Sequence, residues 1–320
     1  MEEEIKHHRI KTNGIWMHIA EKGRGPNFVV LLHGFPELWY SWRHQMHFLA
    51  NNGYHVIAPD LRGYGDSDSP LSPSSYTLFH LAADILGILD HFHQHQAFVV
   101  GHDWGANIGW HLSLFRPDRI KAFVAISVPY YPRNPDAKVT DFFTKIYGDG
   151  FYISQFQEGG RAEKAFARYD YLTVMKKFLL ITKTDALVAP PGMEIIDYLH
   201  TPSMLPPWIT EQELQVYADK FQETGFTAPL NYYRAMDLNW ELSGAWQGSK
   251  VTIPTKLIIG DKDIGFETYG VKEYVKGESF KKIVPNLEVV ILDGHHFIQQ
   301  EKPLQVSQQI LAFLSQFTSN

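Results

Sequence analysis

The chain has 320 residues, of which 44% are hydrophobic and 20% are charged, and its formal net charge is -6. This composition is typical of a globular protein with a substantial buried core, not of a disordered chain. The negative charge and the lack of a basic stripe exclude nucleic acid as the main partner. Because the chain contains no cysteine, disulfides and thiolate metal sites are excluded as well.

The two ends of the sequence show no targeting signal. Residues 1–8 lack the basic and apolar regions of a signal peptide, and residues 317–320 are not the peroxisomal Ser-Lys-Leu address. No apolar run reaches the roughly 18 residues of a membrane helix. We therefore expect a cytoplasmic protein without a membrane span, and the sequence leaves open whether it is a monomer or a homodimer.

In chain order, the first predicted element is a hairpin at residues 9–20 with Asn13-Gly14 as its two-residue turn. Apolar residues from Leu78 to Leu89 then follow the i, i+3, i+4, i+7 spacing of a helix. Short apolar runs predict strands at residues 28–32, 55–58, 98–100, 123–126, 257–259 and 289–292. The alternation of strands and helices predicts a mostly parallel α/β sheet, with reactive groups beyond the carboxyl ends of its strands.

This alternation stops after Pro129 and resumes more than a hundred residues later. The intervening stretch is aromatic-rich and helical in pattern, and Thr210 with Glu213 predicts a capping box at the start of one helix. The chain closes with a predicted helix near residues 303–317. We therefore divide the chain into three segments: the first part of an α/β core at residues 1–130, an inserted helical lid at residues 131–246, and the second part of the core at residues 247–320.

The sequence Gly101-His102-Asp103-Trp104-Gly105 follows a strand and precedes a helical pattern. It has the form of the nucleophile elbow G-x-S-x-G, with aspartate in place of serine. A carboxylate is already ionised at neutral pH, so Asp103 can attack a carbon directly and form an ester. The alternative is an ordinary turn between a strand and a helix.

Two later strand ends supply an acid and then a histidine. Asp261 and Asp263 follow one strand, and His295 and His296 follow the next. The order nucleophile, acid, histidine is that of the α/β-hydrolases. Each of these residues alone has an ordinary surface role as an alternative.

A turn after the first apolar run contains His33-Gly34-Phe35-Pro36. The backbone N–H of Phe35 could point at a developing negative charge together with the N–H of Trp104. The alternative is a strand-ending turn with Pro36 in the cis form. Ser67, in the turn-rich loop at residues 60–68, is a poor nucleophile candidate because this loop is interpreted as architecture.

Four motifs together resemble the epoxide hydrolases of the α/β-hydrolase family, the plant soluble enzymes in particular: His33-Gly34-Phe35-Pro36-Glu37, the loop at residues 60–68, Gly101-His102-Asp103-Trp104-Gly105 and Gly294-His295-His296-Phe297. The resemblance implies an α/β-hydrolase fold whose lid carries two tyrosines. Matches at residues 151–157 and 231–234 assign Tyr152 and Tyr233. The acid is then Asp263 rather than Asp261, and the histidine is His296 rather than His295. The sequence departs from the family at Ile264-Gly265-Phe266, where a larger apolar residue, often tyrosine, is expected.

The resemblance also implies a reaction. Asp103 attacks a carbon of a small apolar epoxide while the two phenols bind the ring oxygen. His296, oriented by Asp263, then activates a catalytic water that hydrolyses the ester, and the product is a vicinal diol. The N–H groups of Phe35 and Trp104 stabilise the oxyanion. Further pocket candidates are His33, Pro36 and Trp208.

No metal or organic cofactor has a role in this scheme. His91, His93 and His95 lie near a predicted helix end without a set of acidic partners. The nearest alternative is a haloalkane dehalogenase, whose halide needs no proton and therefore no paired tyrosines. The other alternative is a non-catalytic small-molecule receptor with the same fold.

Overall fold

The computed structural model describes residues 4–318. Residues 1–3 and 319–320, on which the predictions about the two ends partly rest, lie outside this range. Eight strands form one sheet in the order β1-β2-β4-β3-β5-β6-β7-β8. They are β1 (Lys6–Thr12), β2 (Ile15–Lys22), β3 (Asn27–Leu32), β4 (Tyr54–Pro59), β5 (Ala97–His102), β6 (Ile120–Ile126), β7 (Thr255–Gly260) and β8 (Leu287–Leu292).

The sheet is parallel from β4 onward, and only β1 and β2 run antiparallel to their neighbours. The predicted mostly parallel α/β sheet is therefore confirmed. The predicted hairpin is also confirmed, since Asn13 and Gly14 both adopt positive φ between β1 and β2. This left-handed conformation is the one that a two-residue hairpin turn requires.

Helices cover both faces of the sheet. Those of the first part of the chain are α1 (Arg43–Asn51), α2 (Leu78–His91) and α3 (Trp104–Phe115), and those after β7 are α12 (Val271–Lys276), α13 (Glu278–Ile283), α14 (Ile298–Glu301) and α15 (Pro303–Leu314). Along β3, Val30 and Leu32 pack into one core cluster and Val29 and Leu31 into the other. Burial on both faces explains why the strands are continuous apolar runs without alternation.

Between β6 and β7 the chain runs through a helical insertion. It contains α4 (Val139–Tyr147), α5 (Tyr152–Gln157), α6 (Arg161–Phe166), α7 (Tyr171–Leu179), α8 (Ile195–Tyr198), α9 (Glu211–Thr224), α10 (Thr227–Arg234) and α11 (Met236–Leu242). The capping box predicted at Thr210 and Glu213 is present at the start of α9. Short 3-10 helices lie at Trp39–Trp42, Pro73–Tyr76, Pro117–Arg119, Ser243–Trp246 and Ser315–Phe317.

Buried polar contacts join the helical insertion to the rest of the molecule. The Tyr217 hydroxyl lies 2.8 Å from the Ser41 hydroxyl, and Arg43 donates to Glu213 at 2.9 Å. The Tyr232 hydroxyl donates to the backbone oxygen of Arg62 at 2.7 Å. These bonds hold α9 and α10 above the carboxyl ends of the central strands. Within residues 4–318, no helix has both the length and the apolarity needed to cross a bilayer.

Candidate active site

Asp103 occupies the tip of the turn between β5 and α3. Its φ of 53° and ψ of -119° are uncommon for a residue other than glycine. The glycines on either side are required by close backbone packing: a Cβ at Gly101 would overlap the backbone of Gly105, and a Cβ at Gly105 would overlap the backbone of Leu32. This packing holds the turn in a form that exposes the Asp103 carboxylate to a large cavity.

The acid and the histidine come from the loops after β7 and β8. His296 Nδ1 lies 2.7 Å from Asp263 Oδ1, and His296 Nε2 lies 3.4 Å from Asp103 Oδ2. The imidazole therefore lies between the two carboxylates. The alternatives point elsewhere: His295 pairs with Glu301, and Asp261 accepts from the backbone N–H of Gly294.

Charge coupling shifts the pKa values of this group. Burial acts to lower the pKa of His296, but the charge of Asp263 and the bond to Asp103 outweigh it, so the pKa lies well above its ordinary value. Burial acts to raise the pKa of Asp103, but the hydrogen bond and charge of His296 outweigh it and lower the pKa. The lowered pKa means that Asp103 is ionised at neutral pH.

The backbone of the turn after β3 binds the same carboxylate. The Phe35 N–H donates to Asp103 Oδ1 at 2.8 Å, whereas no protein acceptor within residues 4–318 is bonded to the Trp104 N–H. The Phe35-Pro36 bond is cis, as the alternative interpretation of this turn predicted. A Cβ at Gly34 would overlap the Asp103 side chain, so only glycine allows the carboxylate to lie against this turn.

Tyr152 and Tyr233 line the same cavity as Asp103. Tyr152 begins α5 and Tyr233 lies near the end of α10, and their ring centroids are 6.1 Å apart. The Tyr233 ring also packs edge-on against Trp104 at 5.2 Å. Burial raises the pKa of each phenol well above its ordinary value, and the negative charge of Asp103 adds to the shift. Both side chains are therefore neutral hydrogen-bond donors.

The cavity has a volume of about 760 Å³ and is lined mainly by aromatic and aliphatic side chains. Of the three further pocket candidates, Pro36 lines it, but His33 and Trp208 are not among its lining residues. His33 is a structural residue: its Nδ1 donates to the Gly34 oxygen and its Nε2 accepts from the Leu61 N–H, both at 3.0 Å. Trp208 instead packs against the apolar core from the loop before α9. The prediction for these two residues is corrected accordingly.

The departure at Ile264-Gly265-Phe266 has a steric explanation. Gly265 adopts a φ of +72°, and a Cβ there would overlap the Tyr269 ring. Tyr269 lines the cavity, and its hydroxyl accepts from the Leu187 N–H at 3.3 Å. A tyrosine four residues later therefore occupies the space beside position 265, and the apolar wall near Asp263 is retained.

A buried ion pair next to the backbone of His296 is not predicted by the sequence analysis. Glu37 Oε2 lies 2.6 Å from His102 Nδ1, and His102 Nε2 lies 2.8 Å from the backbone oxygen of His296. Gln299 donates to the other Glu37 oxygen at 2.8 Å. Glu37 and His102 belong to the motifs quoted above, and their position next to Pro36 and Asp103 was the signal that could have identified them. Their bonds fix the backbone that carries His296.

One group among residues 4–318 has the composition of a metal site: His18, Asp60 and Asp66. His18 and Asp60 are buried and bonded to each other at 2.8 Å. The second Asp60 oxygen accepts from the backbone N–H of Trp39 at 3.0 Å, and Asp66 is paired with Lys220 at 2.8 Å. These carboxylates are thus engaged in bonds that hold the loop after β4.

Comparison with known proteins identifies a family whose fold matches this architecture, and relatives that are similar to this chain over nearly its whole length. Residues 27–197 match the family described as alpha/beta hydrolase fold. The chain is 50% identical to Epoxide hydrolase 2 of Siraitia grosvenorii over 317 residues, which cover 98% of this chain and 100% of that protein. It is 38% identical to Epoxide hydrolase A of Mycobacterium tuberculosis over 317 residues, which cover 96% of each.

Two solved structures align over nearly the whole chain. An epoxide hydrolase from Vigna radiata has a TM-score of 0.94 and 46% identity, with 98% of each chain covered. Potato epoxide hydrolase I, from Solanum tuberosum, has a TM-score of 0.94 and 45% identity, with 98% of this chain and 100% of that chain covered. The fold similarity therefore includes the helical insertion.

Proposed function

The chain belongs to the epoxide hydrolases of the α/β-hydrolase fold, and from this premise we propose how its own residues open an epoxide to a vicinal diol. One observation carries the proposal: a single cavity is lined by the Asp103 carboxylate, the imidazole paired with it and two neutral phenols. Such a site can supply a nucleophile to a ring carbon and a proton to the ring oxygen.

In the first step, Asp103 Oδ2 attacks the epoxide carbon. The choice of oxygen follows from the Phe35 N–H, which already binds Oδ1 at 2.8 Å and would hold it as the carbonyl oxygen of the ester. The C–O bond of the ring breaks, and the phenol of Tyr152 or Tyr233 protonates the alkoxide that forms. This transfer is favourable because a phenol is far more acidic than an alcohol.

In the second step, His296 takes a proton from water, which attacks the ester carbonyl. The ester no longer carries the Asp103 charge, so one of the two carboxylates that raise the pKa of His296 is neutralised. The pKa of the imidazole then falls, so the proton it shared with Asp103 passes to the phenolate left by ring opening, and the neutral imidazole can act as a base. The N–H groups of Phe35 and Trp104 hold the oxyanion, which collapses to release the diol. His296 gives the proton taken from water to the departing alkoxide, which becomes the diol, and the proton left on the Asp103 acid returns to the imidazole, so the resting pair of Asp103 and His296 is restored.

We propose that residues 131–246 act as a lid over a core formed by residues 1–130 and 247–320. Both tyrosines lie on this segment, at the start of α5 and near the end of α10. The lid thus supplies the proton while the core supplies the nucleophile and the base. Closing the cavity with this segment also keeps the ester away from bulk solvent.

Isotope labelling tests the ester route. After a single turnover in heavy-oxygen water, the label should be in the Asp103 carboxylate and not in the diol, because water attacks the acyl carbon. Mass spectrometry of the peptide containing Asp103 and of the diol measures both. Label that appears in the diol during the first turnover would contradict the proposal, since water would then have attacked the epoxide itself.

Removing the phenols should slow ring opening. Tyr152→Phe and Tyr233→Phe should each lower the rate of ester formation by about 10²-fold, because each removes one of two donors to the ring oxygen. The double variant should lose more than either single variant. Stopped-flow tryptophan fluorescence in single turnovers measures this rate, since Trp104 lies beside Tyr233.

Tyr232→Phe is the matched control for the tyrosine variants. This neighbour is buried, and its hydroxyl donates to the backbone oxygen of Arg62 outside the cavity lining. Its loss should lower the free energy of unfolding by about 1 kcal/mol and leave the rate of ester formation near that of the wild type. Equal slowing in Tyr232→Phe and Tyr233→Phe would show that the phenols act through packing.

Asp263→Asn should change the pH dependence of ester hydrolysis. The rate rises with pH as His296 loses its proton, and Asp263 is the main charge that raises the pKa of His296. The rising limb should therefore move to lower pH in the variant. The maximal rate should fall by roughly 10³-fold, because the imidazole is no longer oriented and its charged form no longer stabilised. Asp261→Asn is the matched control and should show neither change.

A further inference from the structure

Polar residues on one face of helix α3, beginning at Asp103, line the cavity. Asn107 and His111 follow Asp103 at intervals of four residues, and all three line the cavity. Residues four apart lie on one face of a helix, and a rise of about 1.5 Å per residue places His111 about 12 Å from Asp103 along the axis. The surrounding wall is apolar and includes Leu114 and Trp246. Polar groups placed in an apolar cavity are the usual means of orienting a ligand.

The bonds of His111 define which ring nitrogen faces a ligand. Its Nδ1 lies 2.8 Å from the backbone oxygen of Asn107. Because a carbonyl oxygen only accepts, Nδ1 carries the hydrogen and Nε2 is left as an acceptor. Burial lowers the pKa of His111 to about 4, so the ring is neutral at neutral pH. The rings of Phe115 and Tyr130 lie 5.7 and 5.9 Å away and hold its orientation.

Two polar groups on this face of α3, His111 Nε2 and the Asn107 side-chain amide, have no hydrogen-bond partner within residues 4–318. Asn107 adds a donor and an acceptor one helical turn closer to Asp103. A hydroxyl group can donate to Nε2 and accept from the amide at the same time. A carboxylate offers only lone pairs, which Nε2 repels.

We propose that Asn107 and His111 form a polar subsite that binds a hydroxyl group on the substrate, about two helical turns from the carbon that Asp103 attacks. The inference rests on the proposed function and narrows it to long epoxides that bear a hydroxyl group at the far end. The apolar wall between the two points accommodates the connecting chain.

The cavity lining also contains one arginine, Arg133, two of whose five N–H groups are bonded within the protein. Arg133 donates to the backbone oxygen of Trp240 and to the side-chain oxygen of Gln247, both at 2.8 Å. Its guanidinium also stacks over the Trp240 ring at 4.1 Å. These contacts hold the guanidinium against Trp240, and the carboxylate compound in the test below shows whether its remaining N–H groups bind an acid.

The test uses three epoxides that differ only at the far end of a chain of about eight carbons, which spans roughly the 12 Å between Asp103 and His111. The chain ends in a hydroxyl, a methyl or a carboxylate group. The wild type should favour the hydroxyl compound by about tenfold in kcat/KM, because the other two leave the subsite unpaired. His111→Leu should abolish this preference, whereas His111→Gln, which keeps an acceptor, should retain most of it. Asn107→Leu should weaken the preference.

Binding measurements separate this inference from the proposed function. Calorimetric titration of Asp103→Asn with the same three compounds reports the preference without turnover, and phenyl oxirane, which is too short to reach His111, reports the activity alone. A wild type that does not distinguish hydroxyl from methyl overturns the subsite. A His111→Leu variant that loses the same factor on all three compounds and on phenyl oxirane also overturns it, because His111 would then act only through packing.

Discussion

His296→Gln should stop the enzyme halfway through its reaction, with a covalent ester on Asp103. The nucleophile needs no base, so ring opening by Asp103 and the phenols can proceed in the variant. Hydrolysis cannot, because glutamine does not take a proton from water. Steady-state turnover should fall by roughly 10⁴-fold or more, the loss seen when a catalytic base is removed. One equivalent of epoxide should be consumed per enzyme.

Intact-protein mass spectrometry measures this result directly. The mass should increase by that of the whole epoxide, because ring opening expels no leaving group. His295→Gln is the matched control, since that side chain pairs with Glu301 and lies outside the cavity lining. Accumulation of the adduct in His295→Gln, or its absence in His296→Gln, would show that His296 is not the base.

Asp103→Asn should abolish both the adduct and the diol. An amide oxygen is a far weaker nucleophile than a carboxylate, and the variant retains the size of the side chain and one acceptor oxygen for the Phe35 N–H. We expect kcat/KM to fall by at least about 10⁴-fold. The His296 ring also loses the carboxylate 3.4 Å from its Nε2, so its pKa should fall toward the ordinary value.

Combining the two substitutions identifies the esterified residue. The variant with both Asp103→Asn and His296→Gln should form no adduct, although His296→Gln alone accumulates one. Nuclear magnetic resonance of the imidazole in Asp103→Asn provides the pKa readout and shows that the site is still folded. Substantial diol formation by Asp103→Asn would contradict the mechanism, because His296 would then direct water at the epoxide itself.

The parts of the molecule that depend on local chemistry were predictable from the sequence. Burial on both faces makes each parallel strand an apolar run, and the glycines at positions 101 and 105 are required by backbone packing at the elbow. The hairpin at Asn13-Gly14 and the capping box at Thr210 follow from the same kind of short-range rule. These signals lie within a few residues of the structure they determine.

Contacts between distant segments were not predictable in this way. His33 was assigned to the pocket because of its motif, yet its two ring nitrogens bond to Gly34 and Leu61 and turn it away from the cavity. The pairing of Glu37 with His102 joins residues 65 positions apart. The assignment of Tyr152 and Tyr233 likewise depended on family resemblance, because no short-range rule brings α5 and α10 to the same wall.

The contact between Gly34 and Asp103 has a consequence for mutational tolerance. Position 34 carries no reactive group, yet any side chain there would overlap the Asp103 side chain. In a library of random single substitutions, this position should therefore tolerate as few changes as Asp103 itself. Inactive variants at Gly34 would be folded proteins with a displaced carboxylate, so a screen for activity would find a catalytic defect at a residue that has no chemistry of its own.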